Sequence, residues 1–498
     1  MIKQAVLSIL LMFFFASEIG AQENIFLSRS YWKANPSVEQ IKKDIASGND
    51  PSALNSNAFD GVVYALLEKV NDEAINYLLT QEGNGIDKRT HDSRTYLHWA
   101  AYAGKTGVVK KLLEQGASIT ALDSHGSTPL TFAASAGQKD AAIYDLFIQF
   151  GVNLAKETNE DGANTLLLAA PFLQSEEDIA YFENKGVDIK STDTHGNGIF
   201  NYAAKKGNID FLKLLVDKGI DYKTLNNEGG NAFLFAAQGG RGYSNPLAVY
   251  DYLKTLGLAP NMVTKSGYTP LHRLAYNTTD SAILQFFISA GARVNQKDSE
   301  GNTPFLNAAS RNTLEMVQLL SEEVTDFNDS NENGQTALML AVQGNSPEVT
   351  EFLLKNGSDA LAKDARGNTL AYYLVTSFDA KKATDFERKL KFLQQQQVSL
   401  NAPQAEGNTL LHLAAKANNL ALLKRLSDYN IPVNAKNDEG LTALHLAAMK
   451  AEDDSLLKYL ISIGGDSDLK TDFEESVYDL ASENELLKKN NTPLNFLK

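Results

Sequence analysis

The chain contains no cysteine among its 498 residues. It therefore forms no disulfide, and it has neither a thiolate metal site nor a cysteine nucleophile. Basic residues are also in deficit, since 46 lysines and arginines stand against 61 aspartates and glutamates and the formal net charge is −15. A surface of this sign repels nucleic-acid phosphates, so we expect no nucleic-acid partner. The fold is expected to be held together by packing alone.

Long uninterrupted apolar segments are lacking as well. The apolar stretch at residues 5–16 has 12 residues, whereas a membrane-spanning helix needs roughly 20. It follows the basic Lys3 and precedes the small residues Gly20 and Ala21, a pattern typical of a secretory signal peptide. We therefore predict a signal peptide at residues 1–21, no membrane span after its cleavage, and a mature protein that is periplasmic or secreted. An uncleaved membrane anchor is the alternative.

What the sequence does have is a repeat with a period of 33 residues or slightly more. The segment GNTLLHLAA begins at Gly407, and GLTALHLAA begins 33 residues later at Gly440. Matching glycines occur upstream at spacings of 33 to 40 residues: Gly126, Gly162, Gly196, Gly229, Gly267, Gly301, Gly334 and Gly367. Such a period predicts a single stack of similar structural units.

Each unit carries a helix start signal. Twelve positions at this spacing hold residues favoured at a helix N-cap: Thr95, Thr128, Asn164, Gly198, Asn231, Thr269, Thr303, Thr336, Thr369, Thr409, Thr442 and Ser476. A short apolar helix with paired alanines follows, then a second helix with larger apolar residues. A glycine such as Gly116 comes after the second helix and suits a left-handed C-cap. The unit is predicted to be helix, tight turn, helix and hairpin-like loop.

The segments TPLTFAASAG, TPLHRLAYN, TLLHLAAKAN and TALHLAAMKA resemble the ankyrin repeat, whose pattern is T-P-L-H-x-A-A-x-x-G. The resemblance covers roughly residues 58–490. It implies an all-α ankyrin-repeat solenoid of about thirteen helix-turn-helix units with hairpin-like loops. The expected organisation is a signal peptide (1–21), an N-terminal cap with a degenerate repeat (22–57), ankyrin repeats (58–474) and a C-terminal capping repeat (475–498).

Two units are longer than the others. The segment GGRGYSNP, residues 239–246, is expected to widen the turn between paired helices. The segment between Thr369 and Thr409 is expected to lengthen both of its helices. We interpret both as tolerated surface insertions, and partner contact or bending of the stack is the alternative. Deleting residues 380–397 should leave folding intact if that segment is only an insertion.

The seven histidines suggest a metal or catalytic site, but their positions favour a structural role. Four share the fourth place of a T-x-L-H-like segment: His98, His272, His412 and His445. The resemblance implies that these imidazoles hydrogen-bond the capping threonine and neighbouring loop backbone. Successive helices lie about 8–10 Å apart, which is too far for two of them to share one zinc ion. The other three lie in loops and are expected to face solvent: His91, His125 and His195.

Other chemical motifs are incomplete. The GKT at residues 104–106 lacks the upstream glycine of a phosphate-binding loop, because Trp99 stands in its place. The DSNENG at residues 329–334 matches the start of a calcium loop, but Leu340 replaces the bidentate carboxylate. We therefore expect no metal, no cofactor and no enzymatic activity. A catalytic site hidden in the 369–409 segment is the less favoured alternative.

The resemblance implies a long concave face, formed by loop tips and first helices, that binds proteins. Transfer of the exposed positions gives twelve residues: Arg94, Tyr102, His125, Ser135, Phe172, His195, Lys205, Lys206, Tyr268, Tyr276, Arg311 and Lys416. Aromatic and arginine side chains carry much of the binding energy at interfaces. We assign partner binding to eight of them: Arg94, Tyr102, His125, Phe172, His195, Tyr268, Tyr276 and Arg311.

The sequence thus predicts a monomeric, non-enzymatic binding scaffold, or a companion of another envelope protein, that acts through shape and hydrogen bonding. Its partner is expected to be a protein. The first alternative is a secreted effector or inhibitor that binds a foreign protein. Retention in the periplasm favours the companion, whereas release into the medium favours the effector.

Overall fold

A computed structural model describes residues 24–240 and 242–498 of the chain. These residues form 28 α-helices and only isolated β-bridges. The chain divides into two compact units, residues 1–194 and 195–498. Within the described part, none of the helices is long and apolar enough to cross a membrane. The predicted signal peptide at residues 1–21 lies outside the described residues.

Ten α-helices form the described part of the first unit. Their bounds are α1 Arg29–Lys33, α2 Val38–Ala46, α3 Gly61–Leu67, α4 Asp72–Leu78, α5 Tyr96–Ala103, α6 Thr106–Glu114, α7 Pro129–Ser135, α8 Ala141–Gln149, α9 Thr165–Ala169 and α10 Glu176–Asn184. Single 3₁₀ turns occur at Ile25–Leu27, His91–Ser93 and Ala170–Phe172. Helices α3, α5, α7 and α9 pack side by side in one row, and α2, α4, α6 and α8 form a second row.

The described part of the second unit contains eighteen α-helices. Their bounds are α11 Ile199–Ala204, α12 Ile209–Asp217, α13 Ala232–Gln238, α14 Leu247–Thr255, α15 Pro270–Asn277, α16 Ser281–Ser289, α17 Pro304–Arg311, α18 Leu314–Ser321, α19 Ala337–Gly344, α20 Pro347–Lys355, α21 Leu370–Thr376, α22 Ala383–Gln395, α23 Leu410–Lys416, α24 Leu420–Leu426, α25 Ala443–Lys450, α26 Ser455–Ser462, α27 Val477–Glu483 and α28 Glu485–Lys489. Further 3₁₀ turns lie at Ala380–Lys382, Ala405–Gly407, Ser427–Tyr429 and Asn495–Leu497. The odd-numbered helices, which we call the first helices, again pack in one row.

The predicted helix starts are confirmed at all twelve positions. Asn164, for example, accepts a hydrogen bond from the backbone N–H of Leu167 at 2.9 Å, and Thr303 accepts one from Leu306 at 3.1 Å. These bonds satisfy backbone donors that have no partner inside the helix. Gly198 caps α11 without a side-chain bond. The local start signal therefore places every first helix from α5 onward.

Close packing of the first helices depends on their small side chains. The paired alanines Ala100 and Ala101 in α5 are fully buried, so the neighbouring helix approaches closely. The loops also stack closely, and Gly301 shows why glycine is needed there. Its φ is +76°, and a Cβ at this position would lie 2.7 Å from the backbone nitrogen of Glu332 in the next loop. The period of the sequence is therefore the spacing of one helix pair and its loop.

The described helices form fourteen pairs, one more than the approximate thirteen of the prediction. The difference arises in the segment predicted to supply only a second helix. That helix is α2, capped by Ser37, and the five-residue α1 before it completes a short pair. Trp32 of α1 and the neighbouring Phe26 are fully buried with their rings stacked 5.6 Å apart. Aromatic packing rather than a repeat motif therefore holds this first pair.

The two long units differ from each other. The described residues 239–240 and 242–246 lie in a wide turn between α13 and α14, as predicted. The buried Asn245 ties this turn to the carbonyl oxygens of Ala204 and Ala236 at 3.0 and 2.9 Å. In the other unit only the second helix is long, because α22 has 13 residues and α21 has 7. The prediction that both helices lengthen was wrong for α21. Asp379 accepts a hydrogen bond from the backbone of Lys381 and starts a new turn soon after α21 ends.

The segment 380–397 is an integral part of its unit. Phe386, Leu390 and Leu393 of α22 are buried, with 5%, 2% and 1% of their surface exposed. Helix α22 packs against α20 and α21 and serves as the second helix of its pair. Its deletion would remove core side chains, so the expectation that a deletion of residues 380–397 leaves folding intact does not hold.

Candidate functional site

The four T-x-L-H histidines are structural, as predicted. At His98 the backbone N–H of Thr95 donates to Nδ1 at 3.1 Å, and Nε2–H donates to the carbonyl oxygen of Ser127 in the next loop at 3.2 Å. Since Nδ1 accepts and Nε2 donates, the ring is held as one neutral tautomer. Burial lowers the pKa of His98 to about 4 and also lowers the pKa of the three equivalent imidazoles. Both ring nitrogens of His98 are therefore used in hydrogen bonds that hold the repeats together.

The side chains of the calcium-like loop, residues 329–334, also form contacts within the protein. Asp329 pairs with the Nζ of Lys297 at 2.8 Å, and the side-chain oxygen of Asn331 accepts from the backbone N–H of Asn333 and Gln335 at 3.1 and 3.0 Å. Throughout residues 24–240 and 242–498, no group of three or more histidine, aspartate or glutamate side chains is placed to hold a metal ion. The oxygens of this loop therefore stabilise its turn.

The candidate site is the exposed side of the first helices, which we call the first-helix face. It is built from the fourth, seventh and eighth residues after each N-cap, because positions three or four apart lie on the same side of a helix. In the first unit these positions bring together Trp99, Tyr102 and Phe132, which we call the aromatic patch. The ring centroids of Tyr102 and Phe132 are stacked 5.6 Å apart, and Trp99 packs edge-on against Phe132 at 5.6 Å. Tyr102 is 40% exposed, as predicted.

Arg94 lies beneath this surface, contrary to the prediction that it is exposed. Only 8% of the residue is accessible. Its guanidinium lies 4.1 Å from the ring centroid of Phe132 and pairs with Asp92 and Asp123 at 2.9 Å each. The two carboxylates and the aromatic ring draw the side chain inward. Arg94 therefore supports the aromatic patch from below.

The loop residues are less uniform than predicted. His125 and His195 are exposed, whereas His91 is only half-exposed because its ring stacks on Phe59 at 4.4 Å. Phe172 is half-buried against the turn at Gly137, where a Cβ would lie 2.6 Å from the phenylalanine ring. Exposure at His125 and His195 leaves their assigned role in partner binding as a prediction.

The second unit carries a different set on its first-helix face. Arg311 is exposed, and its guanidinium donates to the hydroxyl of Tyr276 at 3.1 Å while lying 5.4 Å from the tyrosine ring centroid. Tyr268 is half-buried, with its ring stacked 5.1 Å from that of His272. The structure therefore brings Tyr276 and Arg311 together across two neighbouring first helices.

Sequence reasoning overlooked two residues of this face, Phe132 and Arg273. Phe132 is half-buried in the aromatic patch, and Arg273 is exposed on α15 beside Tyr276. Both occupy the fourth position after a threonine N-cap, namely Thr128 and Thr269. The predicted positions flank the loop glycine or follow the alanine pair, whereas the fourth position precedes that pair. Counting from the N-cap would have found them.

A cavity of about 380 Å³ lies in the second unit between the end of α19, α21 and the start of α22. Its lining includes Lys389, whose Nζ donates to the carbonyl oxygen of Val342 at 2.8 Å. Burial lowers the pKa of Lys389 to about 8. The lysine thus caps the last turn of α19, where a cation is favoured by the helix dipole.

Comparison with known protein families agrees with this architecture. Models described as ankyrin repeats in three or in many copies, and as a single ankyrin repeat, match most of the chain. The matched residues are 62–156, 97–193, 200–298, 271–364, 393–447 and 439–472. The combined matches extend through both units. Ankyrin repeats indicate a scaffold for protein–protein interaction.

Similar proteins carry the same repeats within longer chains. The ankyrin repeat and KH domain-containing protein mask-1 of Caenorhabditis elegans is 28% identical over 271 residues, which are 53% of this chain and 8% of that protein. Neurogenic locus notch homolog protein 2 of Homo sapiens is 28% identical over 152 residues, or 30% of this chain and 6% of that one. The ANK repeat-containing protein nipk-1 of C. elegans is 27% identical over 137 residues, which are 24% of this chain and 22% of that protein. Each alignment covers less than a quarter of the relative. On the strength of the family match and the repeated helix pairs, this chain belongs to the ankyrin-repeat family.

Proposed function

We propose that this protein is a non-enzymatic scaffold that binds another protein through its first-helix face. The observation that carries this proposal is the aromatic patch, where Tyr102 remains 40% exposed although it is stacked on Phe132. A rigid, partly exposed aromatic pair offers a large contact area with little loss of side-chain entropy on binding. Arg94, held beneath it by Asp92 and Asp123, keeps the rings in place.

The protein is further proposed to be exported and to act as a companion of another envelope protein. The signal-like pattern at residues 1–21 and the absence of cysteine support this location. A secreted effector or inhibitor is the alternative. An enzyme with its site near Lys389 is less favoured, because that amine is hydrogen-bonded to a main-chain carbonyl oxygen.

The proposal is tested by capturing partners from an envelope extract of the source cells with the purified chain, followed by mass spectrometry. The wild-type chain is compared with the double variant Tyr102→Ala/Phe132→Ala. We expect the wild type to retain a specific protein and the double variant to lose it, since two aromatic contacts together contribute about 2 kcal/mol or more at an interface.

The control is Phe473→Ala, which removes an aromatic ring that is 85% exposed in the loop before α27. Capture by this variant should match the wild type. Equal capture by all three chains would contradict the proposed site, and loss only with Phe473→Ala would move the site to that loop. A protein that is found in the medium and has no envelope partner would favour the effector.

A further inference from the structure

The first helices of the second unit carry no acidic residue from α11 to α25. The eight helices at issue are Ile199–Ala204, Ala232–Gln238, Pro270–Asn277, Pro304–Arg311, Ala337–Gly344, Leu370–Thr376, Leu410–Lys416 and Ala443–Lys450. The whole chain contains 61 aspartates and glutamates, and on the first helices of this unit they occur only in α27, as Asp479 and Glu483. From α11 to α25 the first helices of a strongly acidic protein therefore carry no negative side chain.

Several cations occupy this face between α11 and α17. We call Lys205, Arg273 and Arg311 the basic patch. Arg273 and Arg311 are exposed, and Lys205 is half-buried. Among the described residues, none of the three forms an ion pair with a carboxylate. Burial lowers the pKa of Lys205, and the positive charge of Arg273 lowers it further, so like charges face each other here without a counter-ion.

Several cations elsewhere in this unit are paired with carboxylates. Lys297 pairs with Asp329 at 2.8 Å and Lys458 pairs with Asp454 at 2.7 Å, both on exposed surfaces. In the described part of the chain, Asp298 forms no ion pair with the three cations of the patch, and it accepts hydrogen bonds at 2.9 Å from the backbone N–H groups of Glu300 and Asn302. The three cations of the basic patch therefore share one face and have no carboxylate partner within the described residues.

We propose, as a refinement that rests on the proposed function, that the basic patch binds a short segment rich in aspartate and glutamate on the partner protein. Arginine presents a planar fork of donors that matches a carboxylate. The hydroxyl of Tyr276 lies beside the Arg311 guanidinium, at 3.1 Å, and provides a further polar contact. Four successive first helices span about 30 Å, the length of about nine extended residues. A short acidic segment in an extended conformation therefore fits the charge and the length of the patch.

The proposal is tested by fluorescence anisotropy with the full chain and a labelled decapeptide of alternating glutamate and glycine. A second peptide with glutamine in place of glutamate measures binding without charge. We expect saturable binding of the glutamate peptide that weakens as salt rises to about 0.15 M, where the screening length is about 8 Å. The glutamine peptide should not bind. An equal affinity for the two peptides would overturn the proposal.

The decisive variant is Arg273→Gln/Arg311→Gln, and its control is Arg293→Gln/Arg366→Gln. Each pair removes two exposed arginines from the second unit and changes the net charge equally. We expect the first variant to bind the glutamate peptide about tenfold more weakly than the wild type, or weaker still. The control should change the affinity for this peptide by less than about twofold. Similar losses in both variants, or no binding by the wild type, would overturn the proposal.

Two further measurements separate this inference from its alternatives. A labelled ten-nucleotide oligothymidylate tests whether phosphates are the preferred ligand, and tighter binding than the glutamate peptide through the same arginines would overturn the acidic-segment proposal. The Arg273→Gln/Arg311→Gln variant is also used in the partner capture. If it retains the protein that Tyr102→Ala/Phe132→Ala loses, the scaffold function stands and the role of the basic patch fails.

Discussion

The imidazole of His98 shows how single residues are used in this protein. It is fully buried, accepts from the N-cap of its own helix and donates to the next loop. The equivalent His412 repeats the pattern, with its Nε2–H donating to Leu441 at 2.9 Å. The ring therefore joins two successive repeats, which explains why a residue type associated with catalysis recurs in a non-catalytic position.

These histidines predict a loss of stability in acid. Burial lowers the folded-state pKa of His98 from 6.5 to about 4, so below about pH 6.5 the unfolded chain binds a proton that the folded chain does not. His98 therefore lowers the free energy of unfolding by about 1.4 kcal/mol per pH unit as the pH falls from about 6.5 to about 4. Denaturant titration followed by circular dichroism should show a shallower acid decline for His98→Gln than for the wild type. The free energy of unfolding of the double variant His98→Gln/His412→Gln should fall even less steeply in acid. Identical pH profiles for the three proteins would refute this account.

At the scale of the helix, the start of each first helix depends on residues close in sequence, whereas the length of a helix depends on tertiary packing. Every predicted N-cap begins a helix because its side chain, or the small residue Gly198, suits the backbone within the next three residues. The end of α21 and the extra turn of α22 depend instead on where Asp379 starts a new turn and on how Phe386 and Leu390 enter the core. Sequence length alone suggested an insertion, whereas packing makes α22 essential.

Helix α22 offers a direct comparison between neighbouring residues. Leu390 is 2% exposed, so Leu390→Ala is expected to lower the free energy of unfolding by about 2–5 kcal/mol through the cavity it leaves. Lys391 is exposed, and Lys391→Ala should change the free energy of unfolding by less than about 0.5 kcal/mol. Guanidinium titration of both variants measures the difference. Equal and small effects would mean that this helix is a dispensable insertion after all.

At the scale of the whole molecule, stability comes from contacts between adjacent repeats. Each row of first helices buries a continuous apolar surface, and in the second unit the last pair of helices covers one end of the row. Val477 and Ala481 of α27 are fully buried, and Leu487 of α28 is 1% exposed. These side chains pack towards the preceding repeat, because α27 contacts α25. The segment predicted as the C-terminal capping repeat, 475–498, therefore contains helices that shield the apolar surface of α25.

Removal of residues 475–498 is expected to leave most repeats folded but to expose the covered side of α25. The truncated chain should bind the dye ANS and self-associate, as measured by dye fluorescence and by size-exclusion chromatography with light scattering. The matched control is Leu486→Ala, which changes a side chain that is 44% exposed on α28. A truncated chain that stays monomeric and binds no dye would show that the last helix pair is not required to cover the stack.

Much of the architecture could be predicted because it repeats. A signal that is weak in one unit becomes decisive when it recurs at twelve N-caps, and the same repetition exposes the structural role of the histidines. The surface was harder to predict. Arg94 and Tyr102 both looked exposed, but Asp92, Asp123 and the Phe132 ring draw only the arginine inward.

The sequence by itself therefore establishes the all-α repeat and its helix starts, since these depend on residues a few positions apart. It also establishes the lack of disulfides, because the chain contains no cysteine. The identity of the aromatic and basic patches depends on side chains that are 29 or more residues apart in sequence, such as Arg94 with Asp123 and Tyr276 with Arg311. Such pairs meet only after the helices stack, because neighbouring repeats bring distant residues to within hydrogen-bonding distance.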